Sequence, residues 1–81
     1  MRHEETIRTV LGRHGRLSVD ATGIGRGDDL YAVGLTSHGT VNVLLALEDE
    51  LDVEFPDALM RRETFRSIDS LSEAVTSLTN D

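Results

Sequence analysis

Few residues of this sequence are of a type and spacing that could do chemistry. The histidines His3, His14 and His38 are scattered and lack the spacing of metal ligands. Ser37 and His38 are adjacent, but neighbouring helical residues point in different directions, so they do not form the nucleophile–base pair of a hydrolase. The chain has no cysteine, which excludes disulfides, thiolate metal sites and a protein thiol nucleophile. We therefore predict no catalytic residue, no metal site and no enzymatic activity.

Ser37 is nevertheless well placed, because it lies at the start of the clearest predicted helix. We expect this helix to run from about Ser37 to Leu51, with Thr36 as the N-cap, a position worth roughly 1 kcal/mol relative to alanine. By itself, a serine at such a position is usually an ordinary capping residue. The apolar stripe predicted to face the core comprises Val41, Leu44, Leu45 and Leu51, widened by Val43 and Leu47.

The remaining segments predict an all-α domain in which this helix is the second. Before it come a first helical stripe and then a long ordered loop over residues 16–34, pinned by apolar side chains and containing a single helical turn near residue 30. After it, Pro56 blocks helix continuation, and a short helix is predicted over Asp57–Arg62 with Leu59 and Met60 facing inward. The first stripe consists of Ile7, Val10, Leu11 and His14; the loop is pinned by Leu17, Ile24, Leu30 and Leu35; and a last helix, from about residue 67 or 69 to 78, carries Leu71, Ala74, Val75 and Leu78.

This pattern predicts one domain over residues 1–81, built as a small bundle of three main helices and one short helix. At 81 residues the chain buries only about 60% of the surface that its unfolded form exposes. No stretch approaches the length of a transmembrane helix, and the first residues include no apolar run behind a basic start. We therefore expect a cytoplasmic protein that is not inserted in a membrane, and a monomer.

The charge of the chain is strongly acidic and unevenly distributed. The formal net charge is −7, with 15 acidic against 8 basic residues, so nucleic acid is not an expected partner. A surface of one sign steers partners of the opposite sign, which predicts basic partner proteins. The competing interpretation is a solvated helix face that keeps the protein soluble. The acidic run consists of Glu48, Asp49, Glu50, Asp52, Glu54 and Asp57.

Taken together, the order of these motifs resembles the acyl carrier protein family. The resemblance rests on Gly34-Leu35, on a serine two residues after that leucine, on Leu47-Glu48-Asp49-Glu50, and on the acidic-apolar alternation that ends in Pro56-Asp57. Thr64-Phe65-Arg66-Ser67-Ile68-Asp69-Ser70-Leu71 is similar to the approach to the family's last helix, and the resemblance covers residues 4–79. Two positions depart from the family pattern, which usually reads Asp-Ser-Leu where this chain has Thr36-Ser37-His38.

The resemblance implies that Ser37 is esterified by 4′-phosphopantetheine, transferred from coenzyme A by a phosphopantetheinyl transferase. The arm would supply the thiol that the chain lacks and hold acyl or aminoacyl groups as thioesters. The implied partners also include an acyl- or aminoacyl-loading ligase and downstream acyltransferases or synthases. The residues expected to contact partners are Thr36, His38, Val41, Glu48, Asp49, Glu50, Asp52 and Glu54.

Two further interpretations concern the site and the subclass. Asp69-Ser70-Leu71 matches the usual tripeptide letter for letter, but only ten residues follow it, too few for the rest of the bundle. We expect Asp69 to cap or begin the last helix and Leu71 to lie in the core. At Arg61-Arg62 and Phe65 the sequence is similar to that of stand-alone carrier proteins that receive amino acids.

The alternative function is an unmodified carrier-like helical module that binds a basic partner protein.

Overall fold

The structure is a computed structural model that describes residues 3–79. Three α-helices form it: α1 (Glu4–His14), α2 (Ser37–Leu51) and α3 (Ile68–Thr79). No strand occurs among the described residues. Helix α1 packs against both α2 and α3, so the predicted all-α class and the long loop between the first two helices are confirmed.

The core lies where the three helices meet, and the loop and the linkers close it. Ile7, Val10 and Leu11 form the buried face of α1, as predicted, whereas His14, the last residue of the helix, is exposed. In α3, Leu71, Ala74 and Val75 are buried as predicted. The other buried core side chains are Ala21, Ile24, Leu30, Leu35, Val43, Leu44, Leu47, Phe55, Phe65 and Ile68.

Two expectations about the core are wrong. Val41 and Leu45 in α2 are 50% and 57% exposed, although we expected them on the core-facing stripe. The buried face of α2 consists of Gly39, Val43, Leu44 and Leu47, because α1 covers that side of the helix. Met60, expected to face inward, is 50% exposed.

The segment between α2 and α3 contains two 3₁₀ helices, Asp57–Leu59 and Arg62–Phe65, where we predicted one short helix over residues 57–62. Met60 and Arg61 separate the two turns, and Arg61 has an extended backbone. The second turn brings Phe65 into the core, where its ring stacks on Phe55 with centroids 5.9 Å apart. The loop between α1 and α2 also has a 3₁₀ helix, Ala21–Gly23.

The long loop is held to α1 by one arginine. Arg8 donates from its Nη1 atom to the carbonyl oxygens of Ala21 (2.8 Å) and Ile24 (2.6 Å). Its Nε atom donates to Glu4 at 2.9 Å, and Glu4 also pairs with Arg26 in the loop. The hydrogen bond from Arg8 lowers the pKa of the Glu4 carboxyl below its usual 4.5. The loop is therefore ordered by hydrogen bonds as well as by its buried apolar side chains.

Candidate functional site

A tight turn at Gly34, which requires glycine, leads the chain into α2. Gly34 has a φ of +110°, and a Cβ atom at this position would lie 3.1 Å from the backbone nitrogen of Ser18. Ser18 donates from both its backbone N–H and its hydroxyl to the carbonyl oxygen of Val33, at 2.9 and 2.8 Å. Leu35 then enters the core, and its N–H donates to Leu30 at 3.0 Å. The turn therefore fixes where the next residues emerge.

Thr36 caps α2, as predicted. Its backbone is extended, and its hydroxyl accepts a hydrogen bond from the N–H of Gly39 at 3.0 Å. This bond satisfies only one of the N–H groups that lack an acceptor at a helix start. The first N–H groups of α2, at Ser37 and His38, belong to the positive end of the helix dipole.

Ser37 is the first residue of α2, and its side chain is exposed. Its hydroxyl makes no hydrogen bond within residues 3–79. Ser70, the serine of the second tripeptide, is different. Its hydroxyl oxygen lies 2.9 Å from the carbonyl oxygen of Thr64 and accepts from the N–H of Ser67 at 3.0 Å. A group attached to Ser70 would break these hydrogen bonds, whereas a group attached to the exposed Ser37 hydroxyl would break none within residues 3–79.

The rest of that second tripeptide has a structural role. Asp69 lies in the first turn of α3, and Leu71 is fully buried, both as expected. The N–H of Asp69 donates to the carbonyl oxygen of Arg26 at 2.9 Å, which connects α3 to the long loop.

A pocket of about 250 Å³ opens beside Ser37. Its lining comes from three parts of the chain: the turn before α2, the first half of α2 and the segment between α2 and α3. The lining residues are Tyr31, Ser37, Thr40, Val41, Leu44, Met60, Arg61, Arg62 and Phe65. The exposure of Val41 and Met60 follows from this position, since both form the walls of the pocket.

Tyr31 and Arg62 meet at this pocket. The Tyr31 hydroxyl donates to the carbonyl oxygen of Arg62 at 2.9 Å, and the guanidinium carbon of Arg62 lies 3.8 Å from the centre of the Tyr31 ring. This distance is well within the range of a cation–π interaction. Burial raises the pKa of the Tyr31 hydroxyl above its usual 10.0, and the charge of Arg62 opposes that rise. Sequence reasoning did not pair these residues, because they are 31 positions apart and no local pattern connects them.

The residues predicted to contact partners divide into two groups. All except Glu48 are exposed: Thr36, His38, Val41, Asp49, Glu50, Asp52 and Glu54. Glu48 is half-buried, and one of its carboxylate oxygens accepts the N–H of Phe55 at 2.8 Å. This bond closes the turn after α2, in which Asp52 has a left-handed backbone with a φ of 52°. Glu48 therefore has a structural role, whatever it contributes to docking.

Within residues 3–79, no group of three or more His, Asp or Glu residues is arranged to hold a metal ion. None of the helices in the same range is long and apolar enough to cross a membrane.

Comparison with known proteins shows the family of the chain. The sequence profile described as "Phosphopantetheine attachment site" matches residues 5–75. An aminoacyl carrier protein of Agrobacterium fabrum (strain C58) is 40% identical over 70 residues, which is 86% of this chain and 84% of the relative.

Solved structures of carrier proteins with a ligase are also similar. One is the crystal structure of an engineered Bradyrhizobium japonicum glycine:[carrier protein] ligase complexed with a carrier protein from Agrobacterium tumefaciens and AMP. The matched chain is 38% identical to this one with a TM-score of 0.87, and the match covers 90% of this chain and 97% of the matched chain. In the B. japonicum ligase complexed with glycylated carrier protein, the identity is 28% and the TM-score is 0.78, covering 91% and 99%. The match over residues 5–75 and the 40% identity to a carrier along most of its length show that this chain belongs to the phosphopantetheine-attachment family of carrier proteins.

Proposed function

We propose that Ser37 carries the 4′-phosphopantetheine arm and that the arm holds an amino acid as a thioester. The chain is a carrier protein, not an enzyme, and its cofactor is phosphopantetheine. The observation that supports Ser37 is its position: it is exposed at the first residue of α2, with a hydroxyl that makes no hydrogen bond within the described residues.

The attachment reaction suits this position. A transferase would remove the Ser37 proton, the Oγ atom would form a bond to phosphorus, and the phosphoanhydride bond of coenzyme A would break with release of the nucleotide. The product is a phosphodiester at a helix N-terminus, where the dipole and the free N–H groups favour an anion by about 0.3–1 kcal/mol at an exposed position. The arm supplies the thiol in a chain without cysteine.

The proposed loading enzyme is an aminoacyl ligase. Support comes from the relatives, since carrier chains similar to this one are seen in complexes with a glycine:[carrier protein] ligase, one of them glycylated. The surface that such an enzyme would meet includes His38, Val41 and Asp49, all exposed on α2. We further propose that acyltransferases or synthases in the cytoplasm accept the cargo from a monomeric carrier.

Intact mass tests the attachment site. The purified protein is treated with coenzyme A and a promiscuous phosphopantetheinyl transferase, alongside the variants Ser37→Ala and Ser70→Ala. We expect the wild type to gain the mass of one arm and Ser37→Ala to gain nothing while keeping its helical circular dichroism. Ser70→Ala, although less stable, should be modified as the wild type is. Modification of Ser37→Ala would contradict the proposal.

The same experiment separates the carrier from the alternative of an unmodified interaction module. If neither this transferase nor one from the native host adds mass to the wild type, the interaction module becomes the better explanation. For the cargo, the modified protein is incubated with glycine, ATP and a glycine:[carrier protein] ligase. Formation of a thioester that hydroxylamine cleaves is the expected result, and its absence would reject glycine as the cargo.

A further inference from the structure

Arg62 is placed to act on the arm itself. Its side chain lines the same pocket as Ser37, and its guanidinium lies over the Tyr31 ring. Accepting the proposed attachment at Ser37, on which this step rests, we propose that Arg62 binds the phosphodiester of the arm and so fixes the direction in which the arm leaves the protein.

The neighbouring arginine shows why Arg62 is chosen. Arg61 also lines the pocket, but its Nε atom lies 3.2 Å from the carboxylate of Glu63, so its charge is already balanced. Arg62 pairs with no carboxylate among residues 3–79. In a chain with a net charge of −7, an unbalanced guanidinium beside the attachment serine is the group that an incoming phosphate would meet.

The contact with Tyr31 restricts the Arg62 side chain at the position where it would bind the phosphodiester. An aromatic ring covers one face of a guanidinium, and the N–H groups, which point outward in the guanidinium plane, can still donate. The hydrogen bond from the Tyr31 hydroxyl to the Arg62 carbonyl oxygen holds the backbone at the same point. A planar guanidinium can bind two phosphate oxygens at once. Because the Tyr31 ring already restricts the Arg62 side chain, Arg62 loses less conformational freedom on binding than a mobile arginine would.

The pocket is suited to part of the arm only. Its volume of about 250 Å³ is below the roughly 300–1,000 Å³ of pockets that enclose a small molecule. The phosphate would lie between the α2 N-terminus and Arg62, and the adjacent apolar atoms of the arm would contact Val41 and Met60, both half-exposed. The thiol end and its cargo would then extend away from the carrier, towards a partner enzyme.

Arginine side-chain NMR tests the contact directly, without any loading enzyme. Spectra of the Nε–Hε groups are recorded on ¹⁵N-labelled protein before and after modification, with complete modification verified by intact mass. We expect the Arg62 signal to shift and its exchange with water to slow by at least about threefold, whereas the Arg61 signal changes little. An Arg62 signal that is the same in both forms would overturn the proposal, and a failure of modification itself would instead concern Ser37.

Thermal melts of matched variants give a second readout. For wild type, Arg62→Gln and Arg61→Gln, Tm is measured in the unmodified and the modified forms. We expect modification to shift Tm more favourably in the wild type than in Arg62→Gln, by about 2–4 °C, as for one exposed charge contact in a domain of this size. Arg61→Gln should behave as the wild type does. Equal shifts in all three proteins would overturn the role of Arg62, because loss of the Tyr31 contact alone lowers Tm in both forms equally.

Discussion

Among single residues, Gly39 determines how closely the start of α2 can approach the end of α1. A Cβ atom at this position would lie 2.9 Å from the carbonyl oxygen of Gly15 and 3.3 Å from the Cδ1 atom of Leu35. The first distance is too short for carbon, and a backbone atom cannot move aside cheaply. Because Gly39 is two residues after Ser37, this contact also fixes the position of Ser37, where the arm would be attached, relative to the end of α1.

Two helical glycines should therefore respond oppositely to alanine. Gly39→Ala forces α1 and α2 apart and should lower the free energy of unfolding by about 1–3 kcal/mol. Gly12→Ala, in α1, places its Cβ 3.7 Å from that of Ala21, an ordinary contact, and should raise stability by about 0.5–1 kcal/mol through helix propensity. Urea unfolding measures both, and a Gly39→Ala protein as stable as the wild type would contradict the close approach.

Thr36 provides a further prediction at this scale. Thr36→Ala removes the acceptor for the N–H of Gly39 and should cost about 1 kcal/mol of stability. Thr36→Asp, which restores the residue usual in the family, keeps an acceptor and should be as stable as the wild type or more so. Urea unfolding of both variants distinguishes a cap from an incidental contact, since only a cap predicts that aspartate rescues what alanine loses.

Local features of the site were predictable from sequence, and distant ones were not. The Thr36 cap and the start of α2 at Ser37 are predicted from a threonine that directly precedes an amphipathic helical pattern, which is information local in the sequence. The pairing of Tyr31 with Arg62 depends on how the segment after α2 returns to the long loop. The N–H of Leu30 donates to the carbonyl oxygen of Arg66 at 2.7 Å and holds that segment to the loop, a contact that no spacing of charges or aromatics in the sequence indicates.

At the scale of elements, α2 shows what periodicity leaves open. Its apolar residues occur on most sides of the helix, so the sequence predicts its length but not which side is covered. The structure covers the side of Val43 and Leu47, while Val41 lines the pocket beside Ser37 and Leu45 is exposed. Val41 thus leaves apolar surface beside the proposed attachment site, whereas Leu45 lies with His14 and Asn42 on another part of the surface.

The turn that ends α2 depends on Glu48. Glu48→Ala leaves the N–H of Phe55, a buried residue, without its acceptor and should lower stability by about 1–3 kcal/mol. Glu50→Ala removes an exposed acid two residues away and should change stability by less than about 0.5 kcal/mol. Chemical denaturation compares the two, and equal effects would show that Glu48 acts only through its charge.

The contact of α1 with the long loop predicts an acid-dependent difference. Because the hydrogen bond from Arg8 lowers the pKa of Glu4 in the folded protein, Glu4 contributes stability above its unfolded pKa of about 4.5 and loses that contribution as pH falls through the lowered value. Glu4→Gln should therefore melt below the wild type at pH 7, and the gap should close under acid. A gap in Tm that is constant with pH would contradict this assignment.

For the whole molecule, charge is the dominant feature. With a net charge of −7 and six carboxylates between residues 48 and 57, the folded protein repels itself. Raising the salt concentration from about 0.02 M to about 0.5 M shortens the screening length from roughly 20 Å to below 5 Å. We expect Tm to rise by a few degrees over this range, and a melt that does not move with salt would contradict a net repulsion in the folded protein.

The position of Tyr31 has a practical consequence for experiments. It is the chain's single tyrosine, and there is no tryptophan, so ultraviolet-excited emission comes almost entirely from a ring that lines the pocket beside Ser37 and lies under Arg62. The intensity and lifetime of that emission depend on the charges and hydrogen bonds around the ring. If the arm is attached at Ser37, we expect its attachment to change the emission of Tyr31, so that modification can be followed in the unlabelled carrier without an added fluorophore.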